Sequence, residues 1–105
     1  EELPSVNHPV VRSHPLTGDS AIFVNDGFVA NIVELTKVES NALLRMLYDI
    51  VAYSVDFHCR VKWEPNTVVF WDNRIVQHRA VFDYWPQLRR GYRVTIEGEA
   101  PIPLR

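Results

Sequence analysis

The sequence predicts a mostly β domain with one inserted helix. Short β-rich runs are separated by turn residues, one stretch of helical periodicity interrupts them, and the order of elements is strands, helix, strands. That order indicates a mostly antiparallel sheet with the helix packed on one side. Alone, such a chain is compatible with a small α+β domain, and as part of something larger it is compatible with half of a barrel or jelly roll.

The first third is predicted to form two short strands joined by a turn. Several prolines keep the opening extended, because the residue before a proline avoids the helical region. Strands are predicted at residues 10–12 and 21–24, with a turn at residues 17–19 between them. A second turn is predicted at residues 25–27, where asparagine, aspartate and glycine follow one another.

One helix is predicted from residue 38 to residue 52. Thr36 and Glu39 have the spacing of a capping box, in which two side chains satisfy free amides at a helix start. Beyond the cap, apolar side chains at helical spacing predict one buried face. These side chains are Leu43, Met46, Leu47, Ile50 and Val51.

After the helix the periodicity changes to two residues, which is typical of strands. Residues 58–63 alternate between polar and apolar side chains and predict a half-buried strand. Residues 64–66 predict a turn, and residues 67–71 and 92–97 predict two further strands. The proline-flanked tail at residues 101–103 is predicted not to pair regularly.

Composition narrows the class of protein. With 105 residues, 47% of them hydrophobic and 23% charged, the chain suits one small globular domain. The formal net charge of -2 argues against nucleic acid or an anionic membrane as partner. The single cysteine, Cys59, suits a reducing compartment. The acidic opening lacks the apolar stretch of a secretory signal and no run of about 18 apolar residues occurs, so we expect a cytoplasmic protein.

The last third carries the residues with a chemical role. A neutral imidazole such as that of His78 is a good ligand for Fe(II), although a lone histidine is more often a hydrogen-bonded structural residue. Along a strand, Arg89 and Arg93 would share one face about 13 Å apart, with Gly91 leaving the space between them open. Guanidinium groups bind carboxylate or sulfonate oxygens. The other interpretation is a solvated basic strand in which Arg90 is a third member.

These residues belong to a longer sequence motif, called the phrase below, that resembles a motif of a known family. The phrase consists of Trp71, Asp72, Asn73, Arg74, three further residues, His78, Ala80, Asp83, Tyr84, Pro86, Gln87 and Arg89. It resembles the distal end of the active site in the TauD/TfdA family of Fe(II)- and 2-oxoglutarate-dependent dioxygenases. Residues 8–18, residues 23–28 and the turn at residues 63–66 extend the resemblance over nearly the whole chain.

The resemblance implies roles for four residues. It makes His78 a ligand of Fe(II) and Arg89 the partner of the distal carboxylate of 2-oxoglutarate, the cosubstrate. Arg93 would hold the substrate anion, and Phe28 would pack beside the substrate. An ordinary core aromatic is the other interpretation of Phe28.

The resemblance also implies a fold and an incomplete site. It indicates the C-terminal part of a double-stranded β-helix (jelly roll), with residues 1–105 forming the C-terminal portion of a dioxygenase domain. The family's upstream His-x-Asp iron motif is absent, since none of the 4 histidines has an acidic residue two positions later. In the family pattern Asp72 is not a ligand. We therefore expect the isolated chain to be poorly stable and inactive, with open strand edges that favour a homo-oligomer.

The implied reaction is oxidation of a small anionic substrate by O2. Hydroxylation of an alkylsulfonate such as taurine would give succinate, CO2, sulfite and an aldehyde, as in taurine catabolism. Nucleic acid and membrane are not expected partners. The alternative is a non-catalytic module that keeps an anion-binding arginine pair or pairs with another subunit. A metal site completed in trans by a separate chain is a third hypothesis.

Overall fold

A computed structural model describes residues 4–104, and the acidic opening at residues 1–3 therefore lies outside the described residues. A small antiparallel sheet forms the base of the fold. Its strands are β1 (Val11–Ser13), β2 (Ser20–Ile22) and β3 (Ile102–Pro103), in the spatial order β2–β1–β3. The sheet thus joins the two ends of the described chain.

The central strand β1 is paired on both sides. Arg12 lies opposite Ala21 of β2 and opposite Pro103 of β3. Gly18 has φ 77°, a backbone conformation that glycine adopts without a steric penalty, and closes the turn between β1 and β2. The two early strands are confirmed within two residues. The prediction that the tail does not pair was wrong, because a proline is tolerated in a short strand at the side of a sheet, where no N–H is required of it.

The predicted helix and its cap are confirmed. Helix α1 spans Lys37–Tyr53. The Thr36 hydroxyl accepts from the amide of Glu39 at 3.4 Å, and the Glu39 carboxylate accepts from the amide of Thr36 at 2.9 Å. The capping box therefore fixes where the helix begins.

The buried face of α1 differs from the predicted face. Leu44 is 4% exposed and packs in a cluster with Val24 and Ile32, whereas Leu43 and Met46 are 36% and 50% exposed. Of the predicted stripe, residues 47 and 51 are only partly buried. The face of α1 that contains the buried residues Ser40 and Leu44 packs against the preceding loop. A hydrogen bond between Ser40 and that loop fixes this orientation of the helix.

Ser40 makes this hydrogen bond. Its side chain is 1% exposed, and its hydroxyl accepts from the backbone amide of Ile32 at 2.8 Å. The bond connects the start of α1 to the loop that carries two of the three core side chains. Helix orientation in this protein therefore depends on a buried polar contact as well as on apolar packing.

We expect Ser40→Ala to lower the free energy of unfolding by about 1–3 kcal/mol, because it leaves a buried amide without its acceptor. Chemical denaturation followed by helical circular dichroism measures the change. The exposed neighbour Asn41 provides the control, since Asn41→Ala should shift the free energy by about 0.5 kcal/mol or less. Equal effects of the two substitutions would show that the Ser40 contact does not stabilise the fold.

The later strands were predicted wrongly. Between residues 58 and 100 the structure contains turns but no helix or strand, so residues 58–63, 67–71 and 92–97 are unpaired as strands. A period of two fixes which side chains would share a face, but a strand also needs a hydrogen-bonding neighbour, and residues 58–100 have none in this structure. The turn at residues 64–66 is confirmed: the amide of Thr67 donates to the carbonyl of Glu64 at 3.1 Å.

Much apolar surface in this region is uncovered. Side chains that are at least 79% exposed lie throughout it: Phe70, Phe82, Trp85, Leu88, Tyr92, Val94 and Ile96. Across residues 4–104 no helix is long and apolar enough to cross a membrane.

Candidate functional site

The segment that carries His78 is held to the sheet by Asp72. His14, directly after β1 and 7% exposed, places its Nε2 atom 3.0 Å from a carboxylate oxygen of Asp72. The Nδ1 atom of His14 accepts from the amides of Leu16 and Thr17 at 3.2 and 3.1 Å. Because Nδ1 is an acceptor, the ring proton lies on Nε2 and is donated to Asp72.

Arg74 completes a charged network around the same carboxylate. Its Nε and Nη2 atoms donate to the two oxygens of Asp72, each at 2.9 Å, in a bidentate arrangement. Its Nη1 atom donates to Glu99 at 3.2 Å. The hydrogen bonds from Arg74, followed by the bond from His14, hold the pKa of the Asp72 carboxyl well below its ordinary value. The same ion pair raises the pKa of Arg74 above its ordinary value.

The lowered pKa of Asp72 predicts an acid-sensitive contribution to stability. Because the folded state binds this proton less readily than the unfolded state, the contribution is present above the ordinary aspartate value of 3.8 and is lost as the pH falls below it. We expect the difference in free energy of unfolding between the native chain and Asp72→Asn to be largest at neutral pH and to shrink below about pH 4. Urea titrations at several pH values measure it. A difference that stays constant down to pH 2.5 would contradict the prediction.

Gln77 forms a second attachment, directly before His78. Its side-chain nitrogen donates to the backbone carbonyls of Ile22 and Val24, at 3.2 and 3.0 Å. Ile22 is the last residue of β2, and Val24 belongs to the core cluster. The backbone position of His78 is therefore set relative to β2 by a side chain, although the two segments are more than 50 residues apart in sequence.

The His78 ring is exposed and packs against one aromatic neighbour. The ring centroids of His78 and Trp71 are 5.1 Å apart and their planes are tilted by 49°. The indole nitrogen of Trp71 donates to the side chain of Asn73 at 2.8 Å. The imidazole is thus supported on one side and open to solvent on the other.

The predicted anion-binding residues are exposed. The guanidinium of Arg89 lies 5.4 Å above the centre of the Tyr84 ring, within the range of a cation–π contact. Arg93 is exposed in a part of the chain without strand structure, so the predicted common face of the two arginines stays a prediction. Phe28 is 90% exposed in a turn that the Asn25 side chain stabilises. The interpretation of Phe28 as a core aromatic was therefore wrong.

The structure does not bring the predicted site residues together. Within residues 4–104, no hydrogen bond or salt bridge joins any two of His78, Arg89, Arg93 and Phe28. No group of three metal-binding side chains occurs among the described residues. Two surface depressions among residues 4–104, one beside Ser40 and one beside His14, are lined by none of the four residues.

Sequence reasoning missed the residues that attach this segment to the sheet. They are His14, Asp72, Arg74, Gln77 and Glu99. Only the spacing of an aspartate and an arginine two residues apart gives a local signal. The other contacts join residues 25 to 58 positions apart, and no local sequence pattern predicts them.

Comparison with known proteins identifies the class. The chain is 47% identical over 96 residues to an alpha-ketoglutarate-dependent sulfonate dioxygenase of Saccharomyces cerevisiae, covering 90% of this chain and 23% of that protein. It is 40% identical to an alpha-ketoglutarate-dependent sulfate ester dioxygenase of Pseudomonas putida, covering 90% and 31%. It is 37% identical to an alkylsulfatase of Acinetobacter baylyi, covering 88% and 28%. No solved structure matches the chain significantly.

Two of these relatives are named as alpha-ketoglutarate-dependent dioxygenases, and the family of the chain can be stated. The family model for taurine catabolism dioxygenase TauD, TfdA family, matches residues 1–95. The chain belongs to this family, as the phrase around His78 predicted. It spans about a quarter of the length of the curated relatives that it matches, from 23% to 31% for the three named above.

Proposed function

We propose that this chain is part of a non-haem Fe(II)- and 2-oxoglutarate-dependent dioxygenase that hydroxylates a small anionic substrate. The observation that carries the proposal is family membership over residues 1–95, a range that contains the phrase from Trp71 to Arg89 and also Arg93. Relatives named for sulfonates and sulfate esters favour a sulfur oxyanion, and an alkylsulfonate such as taurine is the proposed substrate. The products would be succinate, CO2, sulfite and an aldehyde.

The described residues do not by themselves fit an iron site. A facial site needs two histidines and one carboxylate arranged together, and no such group is found among residues 4–104. In the proposal His78 supplies one ligand from a solvent-accessible ring. The other two ligands lie on a segment that these 105 residues do not contain, since the sequence has no His-x-Asp or His-x-Glu. The proposal assigns to this chain binding and positioning, and no step that depends on iron.

Arg89 and Arg93 are the proposed anion-binding residues. Within the described part of the chain, the salt bridges of arginine involve Arg45, Arg60 and Arg74, and neither Arg89 nor Arg93 takes part in one. Their guanidinium groups are exposed and have the geometry to receive an external carboxylate or sulfonate. We assign 2-oxoglutarate to Arg89 and the substrate anion to Arg93, and we place Phe28 beside the substrate.

The proposed larger fold is a double-stranded β-helix in which this chain forms one portion of the domain. The support is the uncovered apolar surface between residues 70 and 96, which a sheet or a second layer would bury. The same surface supports association between copies of the isolated chain. A cytoplasmic location is also part of the proposal, because the exposed thiol of Cys59 suits a reducing compartment.

A chimera tests the proposal directly. The chain would replace the matching 96 residues of the Saccharomyces cerevisiae sulfonate dioxygenase, so that the host supplies the rest of the protein. We expect sulfonate-dependent release of succinate and sulfite. A folded chimera that binds iron but releases neither product would contradict the proposal.

A titration of the isolated chain distinguishes the alternatives. Fe(II) and 2-oxoglutarate are added without oxygen, and the visible metal-to-ligand charge-transfer band is followed. We expect no band, because the chain supplies one ligand. A band that His78→Ala abolishes would indicate a site completed by self-association. Sulfonate binding without metal, combined with an inactive chimera, would favour a non-catalytic anion-binding module.

A further inference from the structure

Two side-chain attachments frame the turn that precedes His78. At its start, His14 donates to Asp72, and the backbone carbonyl of Asp72 accepts from the amides of Ile75 and Val76, both at 3.1 Å. At its end, the Gln77 side chain donates to two carbonyls at the end of β2. The turn is therefore connected to the residues after β1 at one end and to the residues of β2 at the other.

Apolar packing does little to hold this turn. Residues 76–82 are all exposed, and only residues 72, 74 and 75 of the turn are partly buried. His14, by contrast, is 7% exposed and belongs to the ordered base of the fold. Where packing is sparse, local opening is easy, and a few hydrogen bonds decide which conformation is populated.

We propose that His14 and Gln77 are positioning residues for His78: together they hold the ligand-bearing segment against β1 and β2. This inference rests on the proposed role of His78 as an iron ligand. A displacement of about 1 Å at a reacting group is enough to reduce catalysis strongly, so the placement of His78 needs a rigid support. Among the described residues, neither side chain is hydrogen-bonded to the His78 ring: His14 acts through Asp72 and the turn that follows it, and Gln77 acts through the backbone that it shares with His78.

The His14 contact can be separated into its two parts by substitution. The amide oxygen of Asn reproduces the acceptor at Nδ1, and the amide nitrogen of Gln reproduces the donor at Nε2. His14→Asn therefore keeps the bonds to Leu16 and Thr17 and loses Asp72, whereas His14→Gln does the reverse. The pair distinguishes a role in the turn after β1 from a role in holding Asp72.

The experiment is amide hydrogen exchange of the metal-free chain, read by NMR. In His14→Asn we expect the amides of Ile75 and Val76 to exchange about fivefold faster, the factor that corresponds to one net hydrogen bond. In His14→Gln we expect them to exchange at the native rate, while the amides of residues 16 and 17 accelerate. The amide of Ser40, which donates to Thr36 at 2.8 Å, is the reference for an intact fold.

Gln77→Glu provides the second arm, because glutamate has the same shape but no N–H to donate. Gln87→Glu, in the same exposed region, makes the same change of charge and is the matched control. We expect Gln77→Glu to weaken the nuclear Overhauser contact between the His78 and Trp71 rings, and Gln87→Glu to preserve it. This contact reports the placement of the ring, which a purely structural role of Gln77 would leave unchanged.

The outcomes are distinct. Native exchange at residues 75 and 76 in His14→Asn would overturn the inference for His14, and a native ring contact in Gln77→Glu would overturn it for Gln77. Equal acceleration at Ser40 and at residues 75 and 76 in His14→Asn, or loss of the ring contact in Gln77→Glu and Gln87→Glu alike, would also overturn it, since the effects would then be on the whole fold. No iron is present in these measurements, so their failure is separate from a failure of the proposed function, which the chimera tests.

Discussion

In the chimera with the yeast enzyme, His78→Ala is expected to reduce turnover about a thousandfold or more, because His78 is the proposed metal ligand and loss of a ligand removes several kcal/mol of metal-dependent stabilisation. Arg89→Ala is expected to raise the KM for 2-oxoglutarate about tenfold to a hundredfold, since a charge-assisted bidentate contact is worth about 1.5–3 kcal/mol. Arg93→Ala should raise the KM for the sulfonate instead. Succinate and sulfite release, measured against each cosubstrate in turn, separates these effects.

Arg90 provides a matched control for the arginine predictions. It lies between Arg89 and Gly91, is also exposed, and would fall on the opposite face in the strand alternation that the sequence predicts. Arg90→Ala should change either KM by less than about twofold, the range of a surface charge. If Arg90→Ala raised KM as much as Arg89→Ala, general electrostatic attraction would explain anion binding, and a specific bidentate contact of the Arg89 guanidinium would not. Arg89→Lys keeps the positive charge but loses the planar guanidinium group, so its KM for 2-oxoglutarate is expected to lie between those of the native protein and Arg89→Ala.

The second large effect concerns the core. Leu44→Ala is expected to lower the free energy of unfolding by about 2–5 kcal/mol, because it deletes a buried leucine and leaves a cavity. Among residues 4–104 the buried cluster has three hydrophobic members, Val24, Ile32 and Leu44, so this loss removes a large part of it. We therefore expect the thermal transition of Leu44→Ala, followed by circular dichroism at 222 nm, to broaden or disappear.

Met46→Ala is the control for the orientation of α1. Met46 lies on the face that its apolar spacing predicted to be buried, but it is 50% exposed. Its substitution should change the free energy of unfolding by about 0.5 kcal/mol or less. A larger loss for Met46→Ala than for Leu44→Ala would mean that the helix packs through the predicted face after all.

Local features of this fold were predictable and longer-range ones were not. The capping box at Thr36 and the turn at Gly18 depend on residues a few positions apart, and the helix and the first hairpin followed from them. The orientation of α1 depends on a hydrogen bond between Ser40 and Ile32, and the spacing of apolar residues in the helix does not predict this bond. The strands predicted beyond residue 58 failed because alternation specifies a face and not a pairing partner.

In the candidate site, too, the residues with a local sequence signal were predicted and those with only long-range contacts were not. His78, Arg89 and Arg93 were found because they belong to a sequence phrase with fixed spacing, and the family match over residues 1–95 confirms the family to which that phrase points. Their roles stay predictions. His14 and Gln77 were missed because each acts on a segment more than 50 residues away, and polar side chains of this kind look like ordinary surface residues in the sequence.

The bonds of Gln77 to β2 also bear on how this small sheet can grow. An incoming strand beside β2 would need the carbonyls of Ile22 and Val24, which already accept from Gln77. On the far side, β3 ends in Pro103, which has no N–H to offer. Both borders of the sheet are thus blunted against main-chain addition by another copy, a common protection against fibrous aggregation. Self-association of this chain is therefore expected to use apolar side-chain surfaces, and to yield amorphous rather than β-ordered assemblies.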